Sequence, residues 1–364
     1  MKPRSIFFTT LLLSLTLVFA GCSNNSTPAA SPAGQPAANT PSAVQSVASN
    51  GADPLPSWND GPAKQAILEF VKTTTDKGSP RFVPPEDRIA TFDQDGTTWV
   101  EQPIYSQVLF AFDRVAEMAP QHPEWKTKMP FKAILTGDRE AMAKFTLKDI
   151  EVIAMATHTG MTAEAFGPLV KDWMAKAKHP KFDKPYPQMV YQPMLEVMKY
   201  LRDNGYRTYI VTGGGQDFVR SYALPVYGIP PEQIIGSALD TQYAYNKDGQ
   251  GILMRDPKLL LNNNGAGKAE DIYLFIGKHP KAAFGNTDGD RQMLEYTQAS
   301  GGASLEMLVL HDDATREYAY GPAQGLPDTK VGTFPQSLYD EAKAKGWTVI
   351  SMKNDWKRIF GWEK

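Results

Sequence analysis

The run Arg88-Ile89-Ala90-Thr91-Phe92-Asp93-Gln94-Asp95-Gly96-Thr97 decides the reading of this 364-residue chain. A short stretch of β-type residues ends abruptly in two acids one residue apart, and an Asp-Gly turn follows. Outward from it, similar runs recur. Thr208-Tyr209-Ile210-Val211 stops at Thr212-Gly213-Gly214-Gly215, and further runs lie at Ile234-Ile235, Ala282-Ala283-Phe284, Met307-Leu308-Val309-Leu310 and Thr348-Val349-Ile350. Between them the apolar spacing is mostly helical, as at Ala66, Ile67, Phe70 and Val71 within 62–75, and again over 193–204, where Asn204-Gly205 stops the helix. Short buried-type strands alternating with helices predict an α/β fold with a doubly wound parallel sheet. In such sheets the residues just past the strand ends converge on one crevice.

Those positions carry a coherent inventory. Asp93 and Asp95 follow the first strand, Thr212 and its glycines the second. Lys268 opens a predicted helix in Gly-Ala-Gly-Lys-Ala-Glu-Asp-Ile, and Gly285-Asn286-Thr287-Asp288-Gly289-Asp290 follows the strand at 282–284. Phosphoryl transfer needs such a set. A carboxylate can attack phosphorus and split one displacement into two easier ones. A hard cation with oxygen ligands lets two anions approach, and Mg²⁺ suits Asp and carbonyl oxygens. A second carboxylate can protonate the leaving oxygen and later activate water. A hydroxyl and an ammonium hold the remaining phosphoryl oxygens, and glycines let backbone N–H groups turn toward the anion.

Taken in order, these four stations resemble the motifs of the haloacid dehalogenase superfamily, in its phosphatase branch, over most of 88–310. The resemblance implies a Rossmann-like core with an inserted helical cap domain. It implies Asp93 as nucleophile, Asp95 as acid/base, Thr212 and Lys268 as phosphate-binding groups, and Mg²⁺ held by Asp93, the Asp95 carbonyl, Asn286 and Asp290. The second acid at 95 separates phosphatases from dehalogenases. Asn286 departs from the family pattern, which has Asp there, and Asp288 is the alternative ligand.

The 114 residues between Thr97 and Thr212 exceed what one crossover helix requires. They predict a helical cap over 102–200, with the core formed by 58–101 and 201–364. A cap of this size favours small phosphorylated substrates over polymers. Gly213 and Gly214 are expected to contact substrate. So are Trp99 and Glu101, beside the nucleophile loop, where an aromatic next to a carboxylate could receive a cationic leaving group; the competing reading is a core Trp99 and a solvated Glu101. His158 reads as a capping or packing residue; His311 and Asp312, at the end of a predicted strand, read first as ordinary structural residues, with a place near the crevice as the alternative.

The rest of the chain bears on address. Lys2 and Arg4 precede an apolar stretch, Ile6 to Phe19, that ends in Phe19-Ala20-Gly21-Cys22. This resembles a bacterial lipobox and implies a signal peptide over 1–21, lipid attachment at Cys22 and a location at the cell envelope, anchored to the membrane. Residues 22–57 hold six prolines and one charge, Asp53, and read as a flexible tether. With 38 basic and 40 acidic side chains the chain offers no electrostatic footprint for nucleic acid. Cys22 is the single cysteine, which excludes a disulfide framework, and the five histidines form no local metal-ligand cluster. Two other readings fit these letters: a non-catalytic lipoprotein that binds phosphorylated ligands, and a pyrophosphatase or phosphonatase of the same superfamily.

Overall fold

A computed structural model describes residues 52–363. The expected signal segment, Cys22 and most of the expected tether lie outside the described residues. Seven strands form one sheet: β1 (Ile89–Phe92), β2 (Arg207–Gly215), β3 (Ile234–Tyr245), β4 (Gly251–Leu261), β5 (Ala282–Gly285), β6 (Leu305–Leu310) and β7 (Thr348–Ser351). Their order is β4-β3-β2-β1-β5-β6-β7. All neighbours run parallel except β3 and β4. The sheet is therefore doubly wound, with an antiparallel edge strand the sequence reading did not include. The chain winds outward from β1 in both directions, so the switch point lies between β1 and β5, where such sheets form their crevice. Register makes the convergence concrete. Phe92 pairs with Ile210 on one side and Phe284 on the other, so Asp93, Val211 and Gly285 stand at one level.

The helices are α1 (Pro62–Thr75), α2 (Ser106–Met118), α3 (Phe131–Thr136), α4 (Arg139–Met142), α5 (Leu147–His158), α6 (Ala163–Met174), α7 (Gln192–Asp203), α8 (Gln216–Arg220), α9 (Ala223–Tyr227), α10 (Ala266–Ile276), α11 (Arg291–Gln298), α12 (Gln336–Lys345) and α13 (Met352–Asp355). Successive strand residues face opposite sides, and both sides are covered. Phe92, Ile210, Phe284, Met307 and Val309 pack toward α1 and α7, and Val211, Ile235, Ala283 and Leu308 toward α10, α11 and α12. This explains the unbroken apolar runs that betrayed the strands.

Helices α2–α6 form the insertion, with a small apolar centre of Ala111, Val115, Trp125, Phe131 and Ile153. Phe110, Phe166, Val170 and Trp173 from the same helices join the main core. The insertion is thus continuous with the sheet domain, and residues from Ala52 onward make one compact unit. Two boundaries shift. Helix α7, which the expected cap limit at 200 would divide, buries Met194, Val197, Met198 and Leu201 in the main core. At the other end packing begins before Trp58: Leu55 is buried, and Asp53 pairs with the Lys64 ammonium at 2.7 Å.

Candidate active site

The tight turn after β1 is built first. Gly96 adopts φ +76°, and a Cβ there would lie 2.0 Å from Asn286 Nδ2 and 2.3 Å from Glu101 Oε1. Only glycine lets the loop after β1 pass so close to the loop after β5. His311, at the end of β6, donates from Nε2 to the Gly96 carbonyl at 2.7 Å and stacks on Tyr320, which pins the same turn.

Lys268 lies in the first turn of α10 with its side chain 2% exposed. Its ammonium donates to Asp93 Oδ1 at 2.5 Å and to the Val211 carbonyl at 2.6 Å. It also sits 2.8 Å from Asp290 Oδ1, outside hydrogen-bond angles, so this third contact is an ion pair only. Asp290 Oδ2 accepts from the Asn286 and Thr287 amides and holds that loop in shape. Asp95 is half-buried. Trp99 Nε1 donates to its Oδ1 at 2.7 Å, and its Oδ2 faces Gly214. Thr212 Oγ1 accepts from the Gly214 amide at 3.0 Å, leaving its own proton for a ligand oxygen.

Asp93, Asp95, Glu101, Thr212, Gly213, Gly214, Lys268 and Asp290 line one cavity of about 470 Å³. That size suits a small molecule. Its outer wall is largely apolar, with Leu147, Ile150 and Met155 from α5, Phe166 from α6 and Phe218 from α8. Other sequence expectations change here. Trp99 does not line the cavity. It is fully buried, stacked on Tyr222, and acts through Asp95, because its ring fills the core while only its N–H reaches the site. Glu101 is not solvated either: it is 1% exposed and accepts from Asn286 Nδ2 at 2.7 Å. Asn286 Oδ1 accepts from Thr97 Oγ1 at 3.0 Å. Asp288 turns outward to Arg291, which removes it as a ligand. The sequence reading missed Gln107 of α2, which accepts from the Gly215 amide, and Asn263, which donates to the Thr212 carbonyl. An isolated Gln or Asn carries no strand-end signal by which to find it.

The electrostatics follow from three carboxylates, Asp93, Asp95 and Asp290, within reach of one ammonium, Lys268. Burial, with the Asp290 charge beside it, pushes Asp93 up to about 8 despite Lys268. Burial raises Asp95 to about 6 and lifts Glu101 well above the usual carboxylate range. Burial opposes the Lys268 charge, but Asp290 and Asp93 outweigh it and hold the amine above its ordinary value. Such a site is short of positive charge. The donors suit a hard divalent cation: Asp93, the Asp95 carbonyl, the Asn286 amide oxygen, and Asp290 Oδ1, a buried oxygen with no hydrogen-bond donor. Among the described residues no three His, Cys, Asp or Glu side chains converge as a ligand group. A cation here would therefore draw on neutral oxygens as well.

His158 lines the outer cavity and is buried. Thr157 Oγ1 donates to the Ile153 carbonyl, so His158 Nδ1 must be the donor in its 2.8 Å contact with that hydroxyl, and Nε2 has no partner. Burial, with the charges of Arg255 and Arg114, drives its pKa down to about 3. The folded state keeps this imidazole neutral while the unfolded chain protonates it near 6.5, so acid favours unfolding. Between pH 6.5 and 5 the wild type is expected to lose on the order of 2 kcal/mol more stability than His158→Phe, read from urea midpoints at the two pH values.

No protein-family model matches the chain, and no curated protein does. Among solved structures, it is similar to a functionally unknown protein from Anaerococcus prevotii (14% identity, 69% of this chain and 86% of that one, TM-score 0.47). A protein of unknown function from Bordetella pertussis is similar at 13% identity, over 72% of this chain and 97% of that one, with TM-score 0.44. A phosphoserine phosphohydrolase-like protein from Francisella tularensis is similar at 18% identity, over 62% and 88%, with TM-score 0.34. None of these is close enough to lend this chain an activity, which has to be read from the site itself.

Proposed function

We propose that the chain is a Mg²⁺-dependent phosphatase of the haloacid dehalogenase type that hydrolyses small phosphomonoesters. The observation that carries this reading is the buried ammonium of Lys268 joining Asp93 to Asp290, with Asp95 and Thr212 turned to the same cavity. In the first step an Asp93 oxygen attacks phosphorus, the bond from phosphorus to the alcohol oxygen breaks, and Asp95 gives that oxygen its proton. Its raised pKa keeps Asp95 able to hold a proton near neutrality. In the second step the Asp95 carboxylate takes a proton from water, whose oxygen attacks the phosphorus of the aspartyl phosphate. Inorganic phosphate leaves and Asp93 is regenerated. Lys268 and the Thr212 hydroxyl hold phosphoryl oxygens throughout. Mg²⁺, when bound by Asp93, the Asp95 carbonyl and Asn286 beside Asp290, would supply the positive charge these carboxylates lack.

The apolar wall from α5, α6 and α8 excludes water and meets the alcohol part of the substrate. The reading also includes an enzyme held outside the cytoplasm by a lipid on Cys22, supported by the lipobox-like Phe19-Ala20-Gly21-Cys22. The test is phosphate release from p-nitrophenyl phosphate and from a panel of small phosphate monoesters with added Mg²⁺. Turnover that stops with chelator is expected. A protein that is inert across divalent metals and pH, yet binds phosphate esters, overturns the enzyme in favour of a binding lipoprotein.

A further inference from the structure

The cavity extends past the groups that would hold a phosphoryl group, and one face of α5 lines the extension. Leu147, Ile150, Glu151, Ala154, Met155 and His158 all border it. Their spacing, i, i+3, i+4, i+7, i+8 and i+11, is that of a single helix face. Ile153, off that face, sits in the insertion's own apolar centre. A surface helix ordinarily turns its apolar stripe to a core. This one turns Leu147, Ile150, Ala154 and Met155 to open space continuous with Asp93 and Lys268, and Leu147 is 84% exposed there. Phe166, Phe218 and, from the edge hairpin, Leu259 add further apolar lining. The charged groups of this part are matched or in solvent. Arg255, buried, pairs with Asp217, donates from Nε to the His158 carbonyl at 2.7 Å and lies over the Phe166 ring at 4.2 Å. Asp217 also pairs with Arg220, and Glu151 is exposed. Gln107 turns its amide oxygen to the Gly215 amide, and His158 Nε2 is closed off from solvent. A charged leaving group would give up water for a wall that offers it no unmatched counter-charge away from solvent.

Resting on the phosphatase reading, we propose that the alcohol part of the ester is uncharged and largely apolar, and that the α5 stripe with Phe166 and Phe218 selects it. The stripe takes the alkyl or aryl part out of water while the phosphoryl group stays at Lys268 and Thr212. Each methylene that enters adds binding that persists into the transition state, so the preference appears in kcat/KM. Esters of amino alcohols, hydroxy acids and polyols forgo that gain and lose hydration as well. Specificity on this reading comes from the face that α5 presents, and the phosphoryl-binding residues carry none of it.

The test is kcat/KM of the full chain with Mg²⁺ over the n-alkyl phosphates from ethyl to hexyl, with glycerol phosphate, O-phosphoserine and phosphoethanolamine alongside. The n-alkyl alcohols are near-equal leaving groups and the three polar alcohols are better ones, so a rise with chain length reports the wall and not the chemistry. A rise of about 3-fold per methylene is expected, with the polar esters about 10-fold or more below butyl phosphate. Met155→Gln, its folding checked by circular dichroism, should flatten the slope. A flat wild-type series overturns the proposal. So does a preference for phosphoserine or phosphoethanolamine, which would show Arg255 or Glu151 receiving a charged group. An unchanged slope in folded Met155→Gln overturns the role of α5, and if that variant fails to fold the wild-type series decides. Inertness toward every ester sinks the phosphatase reading and this proposal with it, a result distinct from turnover without a slope.

Discussion

Asp93→Asn is expected to remove turnover by about 10⁴- to 10⁶-fold while leaving the fold intact, because it deletes the attacking oxygen and keeps the side-chain volume. The substitution retains an acceptor for Lys268 Nζ and lowers the negative charge beside Asp290, so thermal stability should hold or rise. Asp95→Asn separates the two chemical steps. A nitrophenolate leaves without a proton, so attack on an aryl phosphate should proceed while water attack loses its base, and phosphoenzyme should accumulate as a burst. An alkyl phosphate needs the proton at departure and should slow by about 10²- to 10⁴-fold. Rapid-quench measurement of protein-bound phosphate checks both. Asp93→Asn with wild-type turnover would remove the nucleophile from the proposal.

Lys268→Met is expected to cost about 3–5 kcal/mol of stability at neutral pH, read as a lower urea midpoint. Among the described residues the ammonium is the sole counter-charge between Asp93 and Asp290, and its loss leaves two buried acids facing each other with no cation. The deficit should depend on pH with a definite sign. Asp93 already titrates near 8 with the lysine present, since burial and Asp290 outweigh it. Without Lys268 the folded state favours the proton still more than the unfolded chain does. Raising the pH through about 8, where wild-type Asp93 gives up its proton, should therefore widen the gap from wild type, and below neutrality the gap should change little. A gap constant from pH 5 to 9 would show that the lysine stabilises by packing alone.

Much of the fold was legible in the sequence because the sheet is covered on both faces. Full burial turns each parallel strand into an apolar run, as at Ala282-Ala283-Phe284, and the runs mark their own ends. The edge hairpin of β3 and β4 was not legible on that basis. Its outer part is exposed, so Tyr243, Tyr245, Leu253 and Leu259 carry no buried run, and Pro257 lies where only an edge strand tolerates it. The turn Asn246-Lys247-Asp248-Gly249, with Gly249 at φ +75°, was the signal available for it.

The sequence alone determined which residues follow each strand. Because parallel strands in register end at one level, that order already brought Asp93, Asp95, Thr212, Lys268 and Asp290 to one crevice. Only the tertiary structure decided what each neighbour does there. Trp99 and Glu101 lie two residues apart, yet one fills the core and the other reaches Asn286. His311 meets the turn at Gly96, and Gly332 leaves room for Glu101, each from more than two hundred residues away. Strand ends are set by local pattern, whereas a side chain's partners depend on which distant loops leave room for it, and no local pattern records that room.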